Sequence, residues 1–211
     1  ACELTSEEYG IGCRKGSDLA SYINAVMAES YADGSMLEIA TKYGVQESLV
    51  EQKACEYTAS ADSDVAYIQG KGTLLVGITD FAPMDYKNDK DEWIGFDADM
   101  ARKVAEKLGV QVQFVEIDWD GKIMELNSKS IDVVWNGMTL TDAVMAAMEC
   151  TNAYCNNAQV VVVNKDVADK YQTVESLKDL KFAVEAGSAG EAEVTALGLN
   201  CTPLKAQSDA L

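Results

Sequence analysis

No histidine occurs in this chain. The usual general base is therefore missing, and a Ser–His–Asp arrangement cannot be built. The six cysteines (Cys2, Cys13, Cys55, Cys150, Cys155, Cys201) contain no CxxC pair, and without imidazole partners they form neither a recognisable zinc set nor a thioredoxin-like redox motif. No metal or other cofactor is expected. Their spacing leaves open free buried thiols or a local Cys150–Cys155 bridge. Basic residues are scarce: 17 Lys and Arg against 35 Asp and Glu give a net charge of -18. That balance repels phosphates and anionic lipid surfaces alike, so nucleic acid and membrane-surface partners are set aside. No apolar run approaches the roughly 20 residues of a bilayer span, and no basic-then-apolar leader opens the sequence. As it stands the sequence reads as a soluble globular protein.

Hydrophobic residues make up 48% of the chain, enough to bury the core of one large domain or two small ones. Glu8 to Arg14 reads as a short strand, followed by a turn at Lys15-Gly16-Ser17. Ser17 or Asp18 would cap a helix carrying Leu19, Ile23, Val26 and Met27 at helical spacing. A second helix is expected from Met36 to Tyr43. Residues 53–64 are small and polar and read as a flexible linker. Beyond it strands and helices alternate: strand 73–79, helix 97–108, strand 111–117, helix 122–128, strand 131–135, helix 142–149, and β-rich 159–163. Strand 181–185 then leads into Gly187-Ser188-Ala189-Gly190 and another helix. Such alternation implies a mainly parallel α/β sheet with its ligand crevice at the carboxyl ends of the strands.

Three segments in that region carry a resemblance: Thr79-Asp-Phe-Ala-Pro-Met-Asp-Tyr86, Trp93-Ile-Gly-Phe-Asp-Ala-Asp-Met100 and the helix through Gly109. It continues in order through Trp119-Asp-Gly-Lys-Ile-Met-Glu-Leu126, Ile131-Asp-Val-Val-Trp-Asn-Gly-Met-Thr139, Glu149-Cys-Thr-Asn-Ala-Tyr154 and Ala183 to Glu191. Together these resemble the family 3 bacterial solute-binding proteins, which capture amino acids for ABC transporters. The resemblance implies a periplasmic-binding-protein-like fold of two lobes joined by hinge strands. Residues 1–52 resemble the C-terminal end of that family, with Glu8 to Gly16 as a hinge strand, so the order looks circularly permuted. By the same resemblance, residues 65–153 would form lobe 1, 154–163 a hinge strand and 164–211 part of lobe 2. The second lobe looks incomplete by roughly 30 to 40 residues. The hinge strands would cross near Ala153 to Ala158 and Glu8 to Ile11.

The resemblance also assigns a site. Asp80, Phe81 and Tyr86 would line one wall, Trp119 would approach the ligand edge, and Asn136, Gly137, Met138 and Thr139 would supply backbone and hydroxyl contacts. Ser188 would meet the ligand from the second lobe at a helix N-terminus, a position suited to a carboxylate. Each has a plainer reading. Phe81 and Trp135 suit a core, Ser188 suits a helix cap, and Asp97 with Asp99 suits helix N-terminal charge. Val144 stands where the family commonly has an arginine for the α-carboxylate, which leaves the ligand open. The expected function is extracytoplasmic binding of a small polar solute, an amino acid or related amine, for an ABC permease. Competing readings are a permuted scaffold that self-associates through the second lobe, and a dehydratase-like enzyme with Glu185 or Asp80 as acid or base. Cys55 ahead of a Ser/Asp-rich stretch fits a lipid-anchored parent protein.

Overall fold

The computed structural model describes residues 2–60 and 63–211. Strand β1 (Glu3–Cys13) leads into helices α1 (Leu19–Ala32) and α2 (Ser35–Tyr43). Helix α3 (Asp64–Lys71) precedes β2 (Thr73–Ile78), and β3 (Tyr86–Lys87) and β4 (Trp93–Ile94) form a short ribbon. Then come α4 (Phe96–Leu108), β5 (Gln111–Glu116), α5 (Lys122–Asn127), β6 (Val133–Thr139), α6 (Asp142–Ala147) and β7 (Glu149–Cys150). Strands β8 (Cys155–Val160) and β9 (Lys181–Glu185), helix α7 (Ala189–Ala196) and strand β10 (Asn200–Leu204) follow.

The main sheet has the order β5-β2-β6-β1-β7, with β8 also paired to β1. Strand β2 runs parallel to β5 and β6, whereas β1 runs antiparallel to β6, β7 and β8. The sheet is therefore mixed rather than mainly parallel, because β1 enters against β6 from the segment ahead of α1. Its core is the predicted apolar face: Leu19, Ile23, Val26 and Met27 of α1 are buried against Ile11, Val76, Met100 and Trp135. A smaller body follows β8. In it β9 and β10 pair in parallel, and Val161, Leu177, Val194 and Leu199 share a core with Cys2. The two bodies are joined by the β1–β8 ladder, which runs from Glu3 opposite Val160 to Tyr9 opposite Cys155. The ladder takes in Glu8 and Tyr9 of the expected Glu8 to Ile11 crossing and extends from there toward Glu3. From Gly10 onward that strand is held inside the sheet by β6 and β7.

Arg14 fastens this first strand to the sheet. Its guanidinium donates to the Ile131 carbonyl at 2.9 Å and pairs with Asp132 at 3.2 Å and Asp64 at 3.1 Å. Asp132, fully buried, also takes Lys71 Nζ at 2.6 Å and the Leu75 amide at 2.8 Å. A buried carboxylate needs such a full set of donors to remain charged.

Two expectations change. The stretch read as a flexible linker has no regular element over 50–60, yet it is pinned in place: Tyr57 donates to Asp18 at 2.8 Å and packs edge-on to Tyr22. Asp18 also accepts from the Ser63 hydroxyl and the Val65 amide, so it ties this segment down instead of capping α1 with its side chain. Residues 61 and 62 of that stretch lie outside the described residues. The Cys150–Cys155 bridge does not form; all six thiols are free. Cys155 packs into the main core, whereas Cys150 faces the separate cluster around Met138 and Met148.

Candidate ligand-binding crevice

Parallel strands deliver their following loops to one edge of a sheet. Phe81 follows β2, Trp119 follows β5, and Asn136 to Thr139 close β6. From the smaller body, Glu185 ends β9, and Gly187 and Ser188 precede α7. These residues enclose a cavity of about 270 Å³, completed by Tyr9 and Gln159 of the β1–β8 ladder. Seven predicted residues line it: Phe81, Trp119, Asn136, Gly137, Met138, Thr139 and Ser188. Asp80 and Tyr86 do not. The β3–β4 ribbon folds the loop outward, so the Tyr86 ring lies edge-on to Tyr43 of α2 at 6.4 Å. Asp80 is near Lys87 of the same ribbon.

Several lining groups already have protein partners, which changes their roles. The Asn136 amide is locked to Thr79, accepting from its backbone at 2.9 Å and donating to its hydroxyl at 2.7 Å. The Gly137 amide donates to Asp97 at 2.7 Å and so is not free for a solute. Glycine is required there: φ is +55°, and a Cβ would lie 2.6 Å from the Phe81 ring. Gly137 therefore seats Phe81 instead of offering a donor. Met138 is buried with Trp119 and Met148. Thr139 donates to Glu7 at 2.8 Å, and the same oxygen accepts from Asn157 at 2.7 Å and Gln159 at 2.8 Å. Ser188 caps α7, its hydroxyl accepting from the Glu191 amide at 3.1 Å.

Asp97 is more than N-terminal helix charge. It lies beneath Gly137 and accepts from the Tyr154 hydroxyl at 2.8 Å. Burial pushes its carboxyl upward, against the lowering effect of its Tyr154 and Gly137 bonds. Asp85, also fully buried, has no full hydrogen bond on either oxygen, and burial beside Asp97 drives it far above the carboxylate range. Asp99 behaves as surface charge, pairing with Lys42 and Arg102.

The charged groups in the crevice are Lys122, which sequence reasoning passed over, and Glu185, which it weighed only as an acid or base. Lys122 Nζ donates to the carbonyls of Trp119 and Gly187, each at 3.1 Å, and lies over the Trp119 ring at 4.6 Å. The Gly187 bond spans the two bodies. Burial pulls the lysine down, with Glu185 and Asp120 offsetting part of the effect. Glu185 is 6% exposed and its Oε1 has no partner. Burial raises its carboxyl, while the Thr79 hydroxyl, Lys122 and the Gln207 amide pull the other way. Close by, the bodies touch: a Cβ on Gly187 (φ +71°) would sit 2.7 Å from the Asp120 Cα.

Two α/β bodies, a two-strand connection and a polar crevice between them define a solute-binding fold. Residues 74–204 match the bacterial extracellular solute-binding proteins, family 3, and the chain belongs to that family. The arginine-binding extracellular protein ArtP of Bacillus subtilis is 32% identical over 64% of this chain and 52% of its own length. The L-cystine-binding protein TcyJ of Escherichia coli is 30% identical over 57% and 46% respectively. The chain therefore spans about half the length of the curated relatives it matches. Among solved structures, the ancestral amino acid-binding protein AncCDT-1, a precursor of cyclohexadienyl dehydratase, matches with a TM-score of 0.60 at 30% identity. It covers 70% of this chain and 67% of that one.

Proposed function

We propose that this chain captures a small polar solute, an amino acid or related amine, between its two bodies for delivery to an ABC permease outside the cytoplasm. The observation that carries this reading is the 270 Å³ cavity walled from both bodies, with Lys122 bonded across it to Gly187. Its size suits a solute at or below the small end of ordinary ligand pockets, about 300 Å³. The ligands named for the related proteins ArtP and TcyJ, arginine and L-cystine, support the solute class. Titration calorimetry with pooled amino acids tests it: saturable heat at one solute per chain is expected, and silence across amino acids and amines would overturn it.

Within this reading, residues 65–153 form the first lobe, 154–163 a hinge strand, 164–211 the described part of the second, and 1–52 a permuted segment completing the first. The antiparallel seat of β1 beside β6, and a family match that begins only at residue 74, support that division. An exposed Cys55 ahead of α3 is compatible with a lipid anchor in the parent protein. Of the two acid–base candidates for the enzyme reading, Glu185 lines the cavity and Asp80 lies outside it. Self-association has one specific support: Val160 and Val162, 54% and 69% exposed, border an apolar groove of about 520 Å³ with Phe182 and Val184. Light scattering across a concentration series tests that second reading, which a constant monomer mass would overturn.

A further inference from the structure

Beneath the crevice, Asp85 and Asp97 lie buried within each other's field. Among the described residues no ion pair reaches either of them. Three of their four oxygens, both of Asp85 and Oδ1 of Asp97, have no full hydrogen bond. The fourth, Asp97 Oδ2, accepts from the Gly137 amide at 2.7 Å and the Tyr154 hydroxyl at 2.8 Å. Two like charges buried together without a cation cannot both be kept, so the pair holds at least one proton at neutral pH. Asp97 ionises first, because it has two donors and sits in the first turn of α4. Asp85 keeps the proton. Facing the pair are Tyr9 from β1, Trp135 from β6, Tyr154 and Cys155 at the foot of β8, and Arg102 from α4. Burial pushes Tyr9, Tyr154 and Cys155 upward and keeps them neutral, and Arg102 is engaged by Asp99 and the Trp93 carbonyl. A change of charge in this cluster therefore falls on Asp97.

Its one bonded oxygen joins two parts of the crevice frame. Gly137 backs the aromatic wall: a Cβ there would lie 2.6 Å from the Phe81 ring and 3.1 Å from the Tyr9 ring, and both rings line the cavity. Tyr154 stands at the foot of β8, the strand that carries the ladder between the bodies, and its amide donates to the Tyr9 carbonyl at 2.9 Å. Building on the solute-binding reading, we propose that Asp97 is a positioning residue whose charge clamps Gly137 to Tyr154, so that taking up a proton loosens the Phe81–Tyr9 wall and weakens the bound solute. The proton goes to the open Oδ1. A bond to a charged acceptor is about twice as strong as one to a neutral acceptor, so both clamp bonds weaken together. Affinity is full above the range in which Asp97 titrates and falls as pH drops through it. Burial sets that range above the ordinary carboxylate one.

Two measurements on the full chain test this. In the solute-free, 15N-labelled protein, the Gly137 amide resonance should titrate between about pH 5 and about pH 8. Tyr154→Phe removes a donor that favours the charged form, so it should move that titration to higher pH. Asp97→Asn should abolish it. Calorimetry with each standard L-amino acid across the same range should show at least one that binds, weaker by roughly fivefold or more at the acid end. Glu185 in the crevice is also raised by burial, so the variant decides between them: Tyr154 touches Asp97, and Tyr154→Phe should move the affinity profile together with the Gly137 titration. A Gly137 amide that does not titrate, a titration unmoved by Tyr154→Phe, or an amino-acid affinity that ignores it would each overturn the proposal while leaving solute binding intact. A folded chain whose Gly137 titrates but which binds no amino acid at any pH would overturn the solute-binding reading and, with it, the link from Asp97 to affinity.

Discussion

Gly187→Ala should hold the crevice open. The substitution has two consequences that can be separated. At φ +71° an alanine takes a left-handed conformation, costing about 1–2 kcal/mol. In a chain of this length each kcal/mol lowers the melting temperature by about 2–4 °C, so a fall of roughly 2–8 °C is expected. The new Cβ also meets backbone, 2.7 Å from the Asp120 Cα. Carbon atoms settle at about 3.5–4.0 Å, so the bodies must part locally by about 1 Å. The Lys122 bond to the Gly187 carbonyl, now 3.1 Å, is then stretched beyond hydrogen-bonding distance. A hydrogen bond from a charged donor contributes about 1.5–3 kcal/mol, so solute affinity should fall by roughly tenfold to a hundredfold. Gly198→Ala is the control, since its φ is +69° but nothing lies within 4 Å of its Cβ position. Gly198→Ala should carry the left-handed strain alone and Gly187→Ala should melt at or below it, while the affinity read by calorimetry with a bound amino acid should weaken only for Gly187→Ala. Equal affinities in the two variants would refute the closure argument.

Other perturbations probe the frame of the site. Arg14→Leu strips the fully buried Asp132 of one of its two cations, and breaking such a pair costs roughly 3–5 kcal/mol. A melting temperature lower by about 6–20 °C is expected; a fall under about 2 °C would show that β1 is held by its ladders alone. Asp85→Asn tests the unpaired buried carboxylate through pH. Its folded pKa is raised, so below the unfolded value near 4 both states are protonated and nothing is lost. As pH rises above about 4 the unfolded state ionises first and wild-type stability declines. The variant should therefore match wild type near pH 4 and exceed it increasingly toward neutrality, as read by chemical denaturation; a difference that does not change with pH would contradict the assignment.

Much of the frame was legible because burial follows local period. Leu74 to Ile78 is a continuous apolar run, buried at every position but Leu75, and α4 places Met100, Ala101, Val104 and Leu108 on one buried face. Strand β10 was not legible. Asn-Cys-Thr-Pro-Leu is short, polar and interrupted by Pro203, and it is extended because β9 lies beside it. The first residues of β1, Glu3 to Glu7, likewise lack a strand pattern and owe their conformation to β8. Helix α3 escaped notice because its cap, Ser63, lies in the polar stretch read as linker.

The site divides in the same way. Phe81, Trp119 and the Asn136 to Thr139 run reach the crevice because strand ends place them there, a property that topology carries with the motif. Tyr86 fails because a two-residue ribbon turns it toward Tyr43. Lys122 was passed over at the start of its helix. Its burial depends on the Gly187 carbonyl, 65 residues away in sequence, so no local signal could reveal it. Glu185 was visible as a crevice residue, but its unpaired oxygen appears only when the surrounding side chains are in place.

The central claim is that a small solute binds between the two bodies. Titration calorimetry of the 211-residue chain with pooled L-amino acids tests it most directly, splitting any active pool down to single compounds. The account predicts saturable binding of one solute per chain, weakened by Gly187→Ala and unaffected by Gly198→Ala. A folded chain that releases no heat with any amino acid or amine would contradict it.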